Sequence, residues 1–233
     1  MVTPPLISCV VPVFNGERFL TEALESIFAQ TYRPIEVLVV DDGSTDGTAD
    51  VLARFADRIE VIRQENAGPA ASRNRGLAAA TGAFVAFQDA DDIWLPEKLE
   101  LQMECLAAQP EAALCTCLIQ NFWVPELSGE AEQLRATEHA RPRVASWQGV
   151  LAKREVFGEV GNMDSEIPQN DAREWMHRAR TMGVGIAHVD KVLVQRRVHP
   201  DNWSRHRGKL EPELVLRLAE RALARRRAAK PEE

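Results

Sequence analysis

No run of residues in this chain approaches the ~20 apolar positions of a membrane-spanning helix, and Met1 to Pro5 carries neither the basic nor the apolar part of a signal peptide. A cytoplasmic location is therefore the expectation. A basic excess is also missing: 28 Lys and Arg stand against 35 Asp and Glu, for a formal net charge of -7, so no overall field invites a nucleic acid. Cysteine is sparse. Cys9, Cys105, Cys115 and Cys117 show neither Cys-x2-Cys zinc spacing nor the density of a disulfide scaffold, and they read as buried thiols of a reducing compartment. Cys115 and Cys117 alternate within the apolar run Ala112 to Ile119, which places them on one strand face as packing residues. Neither G-x-G-x-x-G nor G-x-x-x-x-G-K-[ST] occurs, which removes support for a glycine-rich cradle of the dinucleotide or Walker type.

What is present is a regular alternation. With 45% hydrophobic residues, the 233-residue chain has enough apolar content for a substantial core. Apolar runs predict strands over Leu6–Val13, Ile35–Val40, Ile59–Arg63, Ala83–Gln88 and Ala112–Ile119. Between them, amphipathic stretches predict helices over Glu17–Gln30, Asp46–Phe55 and Pro69–Ala80, and another opening at Leu95-Pro96-Glu97. Strands joined by helical crossovers imply an α/β fold, doubly wound, with a mostly parallel sheet covered on both faces. Beyond residue 120 the alternation stops. Asn121 to Val144 reads as a long irregular excursion, followed by helical patterns at Trp147–Phe157 and Ala172–Met182 and one or two strands over Ile186–Val198. An amphipathic helix with a basic end is expected over Glu211–Arg227.

The stretch Val85-Ala-Phe-Gln-Asp-Ala-Asp-Asp92 is the most informative, since an apolar strand ends in three carboxylates within four residues. Like charges packed at a strand end need a cation to offset their repulsion, and hard oxygen ligands suit Mg2+ or Mn2+. A solvated turn is the competing reading. In an open parallel sheet, ligands bind beyond the carboxyl ends of the strands where strand order reverses. If the strands before Asn15, Asp41 and Asp89 lie side by side and parallel, one crevice receives Pro12-Val-Phe-Asn15, Asp41-Asp-Gly-Ser-Thr-Asp46 and Asp89-Ala-Asp-Asp92. The Asp41–Asp46 segment also has the composition of a turn and a helix cap. A diphosphate there would need a metal, with help from a basic side chain such as Arg73 or Arg75, whose alternative is a solvated helix face.

Taken in order, Val10-Val-Pro-Val-Phe-Asn15, Val39-Val-Asp-Asp-Gly-Ser-Thr-Asp46, Asn66-Ala-Gly with Ser72-Arg-Asn-Arg-Gly76, and Phe87-Gln-Asp-Ala-Asp-Asp92 resemble family 2 glycosyltransferases of the GT-A fold, of the bacterial polysaccharide type. The resemblance covers residues 6 to 120 closely and continues through Arg154–Gly161, Asn170-Asp171 and Arg197-Val-His199. It implies a Rossmann-like sheet flanked by helices, with an acceptor-side region and a terminal helix. It also implies an inverting, nucleotide-sugar-dependent enzyme that uses Mn2+ or Mg2+. By that resemblance Asp42 would accept a hydrogen bond from the nucleotide base, with Pro12 and Phe14 lining its pocket. Asp91 would ligate the metal, Asp89 would lie nearer the ribose or the metal's water shell, and Asp92 would cap a helix or support the site. His199 matches a position where family members carry a histidine near the diphosphate or metal, and it is either a third metal ligand or structural.

Asp171 would be the base that takes a proton from the acceptor hydroxyl, although the acidic residue that usually precedes it is Asn170 here. Trp175, four residues on, shares the helix face of Asp171 and is either a stacking platform for the acceptor or a core residue. The segment Asp201–Lys209, with Trp203, Arg205 and His206, would close over the donor. Three parts follow: a nucleotide-sugar-binding half over 1–120, an acceptor-binding and catalytic-base half over 121–208, and a terminal helix and tail over 209–233. The expected partners are a nucleotide-sugar donor, a UDP-sugar being favoured, and a glycan, lipid-linked or peptide acceptor. The terminal helix would serve a weak peripheral membrane contact or a homodimer. Nucleotidyl transfer and a non-catalytic nucleotide-sugar or glycan-binding module are the rival readings.

Overall fold

The computed structural model describes residues 3–134, 142, 146–167, 171–203 and 205. Its contacts divide the chain into two compact units, Met1–Val198 and His199–Glu233. The expected helix over Glu211–Arg227 lies outside the described residues, as do Asn170 and His206.

The first unit is built on an eight-stranded sheet, with strands β1 (Ile7–Val13), β2 (Ile35–Asp41), β3 (Glu60–Arg63), β4 (Phe84–Phe87), β5 (Ile93–Trp94), β6 (Ala112–Trp123), β7 (Leu151–Lys153) and β8 (Gly185–Val198). Their order is β3-β2-β1-β4-β7-β6-β8-β5. β1 pairs in parallel with β2 and β4, β2 with β3, and β6 with β8. β7 runs antiparallel between β4 and β6, and β5 runs antiparallel on β8. The parallel β3-β2-β1-β4 half reverses strand order between β1 and β4, which makes the carboxyl ends of those two strands the expected ligand crevice.

Residues alternate across the sheet. Cys9, Val11 and Val13 of β1 and Val37 and Val39 of β2 enter one apolar cluster, while Val10 and Leu38 enter the other. The first face is covered by α1 (Leu20–Phe28) and α4 (Lys98–Ala108), with α2 (Thr48–Ala53) alongside. On α1 the buried positions Leu20, Ala23, Leu24 and Ile27 follow the helical repeat. The second face is covered by α3 (Pro69–Ala79), α6 (Val156–Val160) and α7 (Asp171–Thr181). Gly76 lets α3 approach β1 closely, since a β-carbon there would lie 2.3 Å from Val10 Cγ1.

Two stretches depart from the expectations. The excursion beyond residue 120 is partly ordered: β6 runs on to Trp123, and α5 (Ser128–Leu134) follows a 3-10 turn at Pro125–Leu127. The expected helix at Trp147–Phe157 is instead a 3-10 turn over Trp147–Gly149, then β7, then the start of α6. Its apolar residues serve three short elements because Leu151 and Ala152 pair with both β4 and β6.

Candidate active site

The site begins with the two loops that leave β1 and β2. Asn15 adopts a left-handed backbone with φ of 51°. Its N–H donates to Ser44 Oγ at 2.9 Å, and its side-chain oxygen accepts from Thr45 N at 2.8 Å. Gly16 N donates to Thr48 Oγ1 at 2.8 Å, and Glu17 Oε2 accepts from Gly47 N at 2.6 Å. The loops are thus stitched together, and Asp41 closes its own turn by accepting from Ser44 N at 2.9 Å. Phe14 stands 51% exposed at the rim, next in chain to the last residue of β1.

Asp42 sits just past β2 and is 3% exposed. Its Oδ1 accepts from Gln64 Nε2 at 2.8 Å and Ala67 N at 2.9 Å, and its Oδ2 from Gly68 N at 2.8 Å. One carboxylate therefore holds the loop that leads into α3. Gly68 has φ of 88°, a conformation suited to glycine, and Pro69 follows at the first helical position.

The loop after β4 carries the acidic cluster. Carboxylate oxygens of Asp89, Asp91 and Asp92 lie within 4.8 Å of one another. Asp92 is buried. Its Oδ2 accepts from Gln148 Nε2 at 2.7 Å and its Oδ1 from Arg197 N at 2.8 Å, so it supports the site and does not cap α4, which starts at Lys98. Burial, and then the charges of Asp91 and Asp89, push Asp92 well above the usual carboxylate range. Asp89 is also raised: burial is the main cause, Arg73 opposes it and Asp91 adds to it. Its side chain keeps 28% exposure, so solvent tempers that rise. The three carboxylates together offer a set of hard oxygen donors that fits a divalent cation.

Arg73 rises from α3 with 6% of its surface exposed. One terminal nitrogen donates to Asp89 Oδ1 at 2.7 Å and the other to Asp171 Oδ2 at 2.9 Å. Burial alone would lower its basicity, but the two carboxylates outweigh this and raise it. Asp171 opens α7, and the same Oδ2 accepts from Trp147 Nε1 at 3.0 Å. Among the described residues its Oδ1 has no hydrogen-bond partner.

Of the residues expected from the sequence, Asp89, Asp91 and Asp92 do gather, and Arg73 joins them to Asp171. Arg73 is not on a solvated face: it is buried and both terminal nitrogens face carboxylates. Trp175 is a core residue: it is fully buried, its indole donates to Gly161 O at 2.7 Å, and its ring packs against Trp147 and Phe157 at 5.4 and 4.9 Å. His199 belongs to the second unit, where it is buried and its N–H donates to Asn202 Oδ1 at 2.7 Å. Sequence reasoning missed Trp147, Gln148 and Arg197. Arg197 lies between the rings of Phe19 and Phe122 at 4.5 and 4.7 Å, and its Nε donates to the carbonyl of Asp91 at 3.0 Å. Its place beside His199 in the Arg-x-His stretch was the one available signal.

The site is thus an α/β sheet with a carboxylate cluster in the loop after β4, tied through Arg73 to a further carboxylate at the start of α7. Comparison with known proteins adds the family: the chain belongs to glycosyl transferase family 2, whose family model matches residues 8–158. It is 45% identical over 102 residues to an uncharacterized glycosyltransferase of Nostoc, covering 42% of this chain and 32% of that protein. It is 40% identical over 104 residues to the putative teichuronic acid biosynthesis glycosyltransferase TuaG of Bacillus subtilis, covering 43% of this chain and 41% of TuaG. The matches thus span less than half of these relatives. Among solved structures, Staphylococcus aureus TarS 1–349 in complex with UDP-GlcNAc aligns with a TM-score of 0.72 at 20% identity, covering 91% of this chain and 64% of that one. The mannosyltransferase PcManGT of Pyrobaculum calidifontis, in complex with GDP-Man and Mn2+, aligns at 0.65 and 22% identity, covering 99% and 77%. At these identities the likeness is one of fold, and it is the GT-A fold expected from the motifs.

Proposed function

We propose that this protein transfers a sugar from a nucleoside-diphosphate sugar, with a UDP-sugar favoured, to an acceptor hydroxyl with inversion at the anomeric carbon. The observation that carries the reading is the pairing of two carboxylate sites, the Asp89–Asp91–Asp92 cluster and Asp171, through one buried arginine. Support comes from family membership, from the UDP-sugar and GDP-sugar complexes of the two structural neighbours, and from the glycosyltransferase names of the relatives.

Asp91 would hold a divalent ion, Mn2+ or Mg2+, with Asp89 in its water shell. When bound, that ion offsets the charge that develops on the departing diphosphate. Asp89 has both oxygens engaged by Arg73 and Gln148, which suits it to the outer position. Asp42, Pro12 and Phe14 would line the nucleotide pocket: Phe14 supplies an exposed ring at the rim, and Asp42 sets the loop before α3. Asp171 would take the acceptor's proton on Oδ1, since Oδ2 already accepts two hydrogen bonds. The acceptor is a glycan, a lipid-linked sugar or a peptide. Residues 1–120 then form the donor half and 121–208 the acceptor half, in a cytoplasmic protein with no nucleic-acid partner and with a weak membrane or homodimer contact through its terminal segment. No helix among the described residues is long and apolar enough to cross a membrane.

The test is a thermal-shift panel of nucleoside diphosphates and nucleotide sugars with and without Mn2+, on wild type and Asp91→Ala, followed by product analysis with candidate acceptors. Metal-dependent stabilisation that is lost in Asp91→Ala, with release of nucleoside diphosphate, is expected. Release of pyrophosphate would replace the reading with nucleotidyl transfer, and binding that leaves the donor intact with every acceptor would replace it with a binding module.

A further inference from the structure

Arg73, Asp171, Trp147, Gln148 and Asp89 close a ring. Arg73 donates to Asp171 Oδ2 at 2.9 Å, and Trp147 Nε1 donates to the same oxygen at 3.0 Å. The next residue in the chain, Gln148, donates to Asp89 Oδ2 at 2.6 Å, and Arg73 returns to Asp89 Oδ1 at 2.7 Å. Four separate elements contribute: α3, the loop after β4, the 3-10 turn before β7, and α7, which brings Asp171. The ring is held at a cost, because Arg73 Nε and Gln148 Oε1 are buried with no hydrogen-bond partner among the described residues. A surface ion pair would not need such an arrangement.

We propose that Arg73 is a positioning residue which, with Trp147, locks the proposed base at a fixed distance and orientation from the metal-side carboxylates. The inference rests on the function proposed above and assigns Arg73 a task other than binding the diphosphate. A guanidinium suits this because its planar fork can meet two carboxylates on separate nitrogens, which an ammonium cannot do in one geometry. Trp147 completes the restraint: with two donors on Oδ2, the carboxylate cannot rotate, and Oδ1 alone is presented for the proton. Since the ring runs through Asp89, movement of the metal-side loop is transmitted to Asp171, so donor and acceptor geometry are set together.

The experiment compares Arg73→Lys and Trp147→Phe with wild type in two assays: calorimetric titration with nucleoside diphosphate plus Mn2+, and steady-state transfer to an acceptor. A positioning role predicts nucleotide affinity and donor KM within about threefold of wild type, with kcat lowered about a hundredfold in Arg73→Lys and about tenfold in Trp147→Phe. Loss of nucleotide affinity in step with turnover would make Arg73 a diphosphate ligand and overturn the inference. Unchanged kcat in both variants would overturn it as well. Circular dichroism reports on folding, and if Arg73→Lys fails to fold, Trp147→Phe, which keeps an aromatic ring in place, decides alone. Absence of transfer by the wild type with every donor would sink the proposed function itself, whereas an active wild type with unaffected variants sinks only the ring.

Discussion

Replacing Asp42 by asparagine separates two tasks that a single carboxylate could perform. The amide oxygen best occupies the Oδ1 position, where it keeps two hydrogen bonds, from Gln64 Nε2 and Ala67 N. The amide nitrogen then faces Gly68 N, so a donor meets a donor where the carboxylate accepted at 2.8 Å. A hydrogen bond to a charged group contributes about 1.5–3 kcal/mol, and neutralising the acceptor weakens the two that survive, so a loss of roughly 3 kcal/mol is expected. Each 1.4 kcal/mol is about tenfold, so opening of the loop before α3 should rise by more than a hundredfold while the domain stays folded. Urea unfolding gives the global loss, and hydrogen exchange at the Ala67 and Gly68 amides localises it. Titration with UDP then reads the second task. A loss below about 1 kcal/mol with both amides still protected would refute the loop-anchor reasoning. Unchanged UDP affinity in Asp42→Asn would remove Asp42 from base recognition.

Two further outcomes follow from the packing and the charges. Because burial and the neighbouring Asp91 and Asp89 charges raise Asp92 well above its unfolded value, the folded chain holds a proton over the window between the two values that the unfolded chain has already lost. Metal-free protein therefore loses stability as pH rises through that window, and Asp92→Asn flattens the slope; melting curves in EDTA at a series of pH values check this. Trp175→Ala empties a site that is fully buried and should cost about 3–5 kcal/mol by urea unfolding, with the acceptor KM of the folded fraction unchanged.

Much of the first 120 residues was legible because its signals are periodic. β1, β2 and β3 fall within a residue or two of the expected runs, and Pro69 marked the start of α3. The acidic cluster was legible because its charge density is abnormal for a strand end. Trp147 to Phe157 was not, since a strand of three residues and a helix of five carry no measurable period, and their apolar residues mimic one longer helix. Gln148 was invisible for a different reason. An amide that donates hydrogen bonds to two aspartates from 56 and 59 residues away leaves no local pattern. Arg73 was seen as a charge beside the crevice, but its direction was not, because helical spacing gives the face of a residue and not the group it meets.

β8 is the last strand among the described residues, yet it lies between β6 and β5 inside the sheet. Arg197, near its end, ties Asp91 through a carbonyl and Asp92 through its own N–H, and reaches Glu22 on α1 at 2.6 Å. The family model, in contrast, stops matching at residue 158. A nascent chain emerging from the ribosome can form the parallel β3-β2-β1-β4 half early, because its contacts are between near neighbours. The aspartate loop acquires its final shape only after residue 197 has been synthesised and threaded beside β6. The final arrangement of the acidic cluster is thus a late event of biosynthesis, and a protein cut short before β8 would keep the motif without the strand that shapes it.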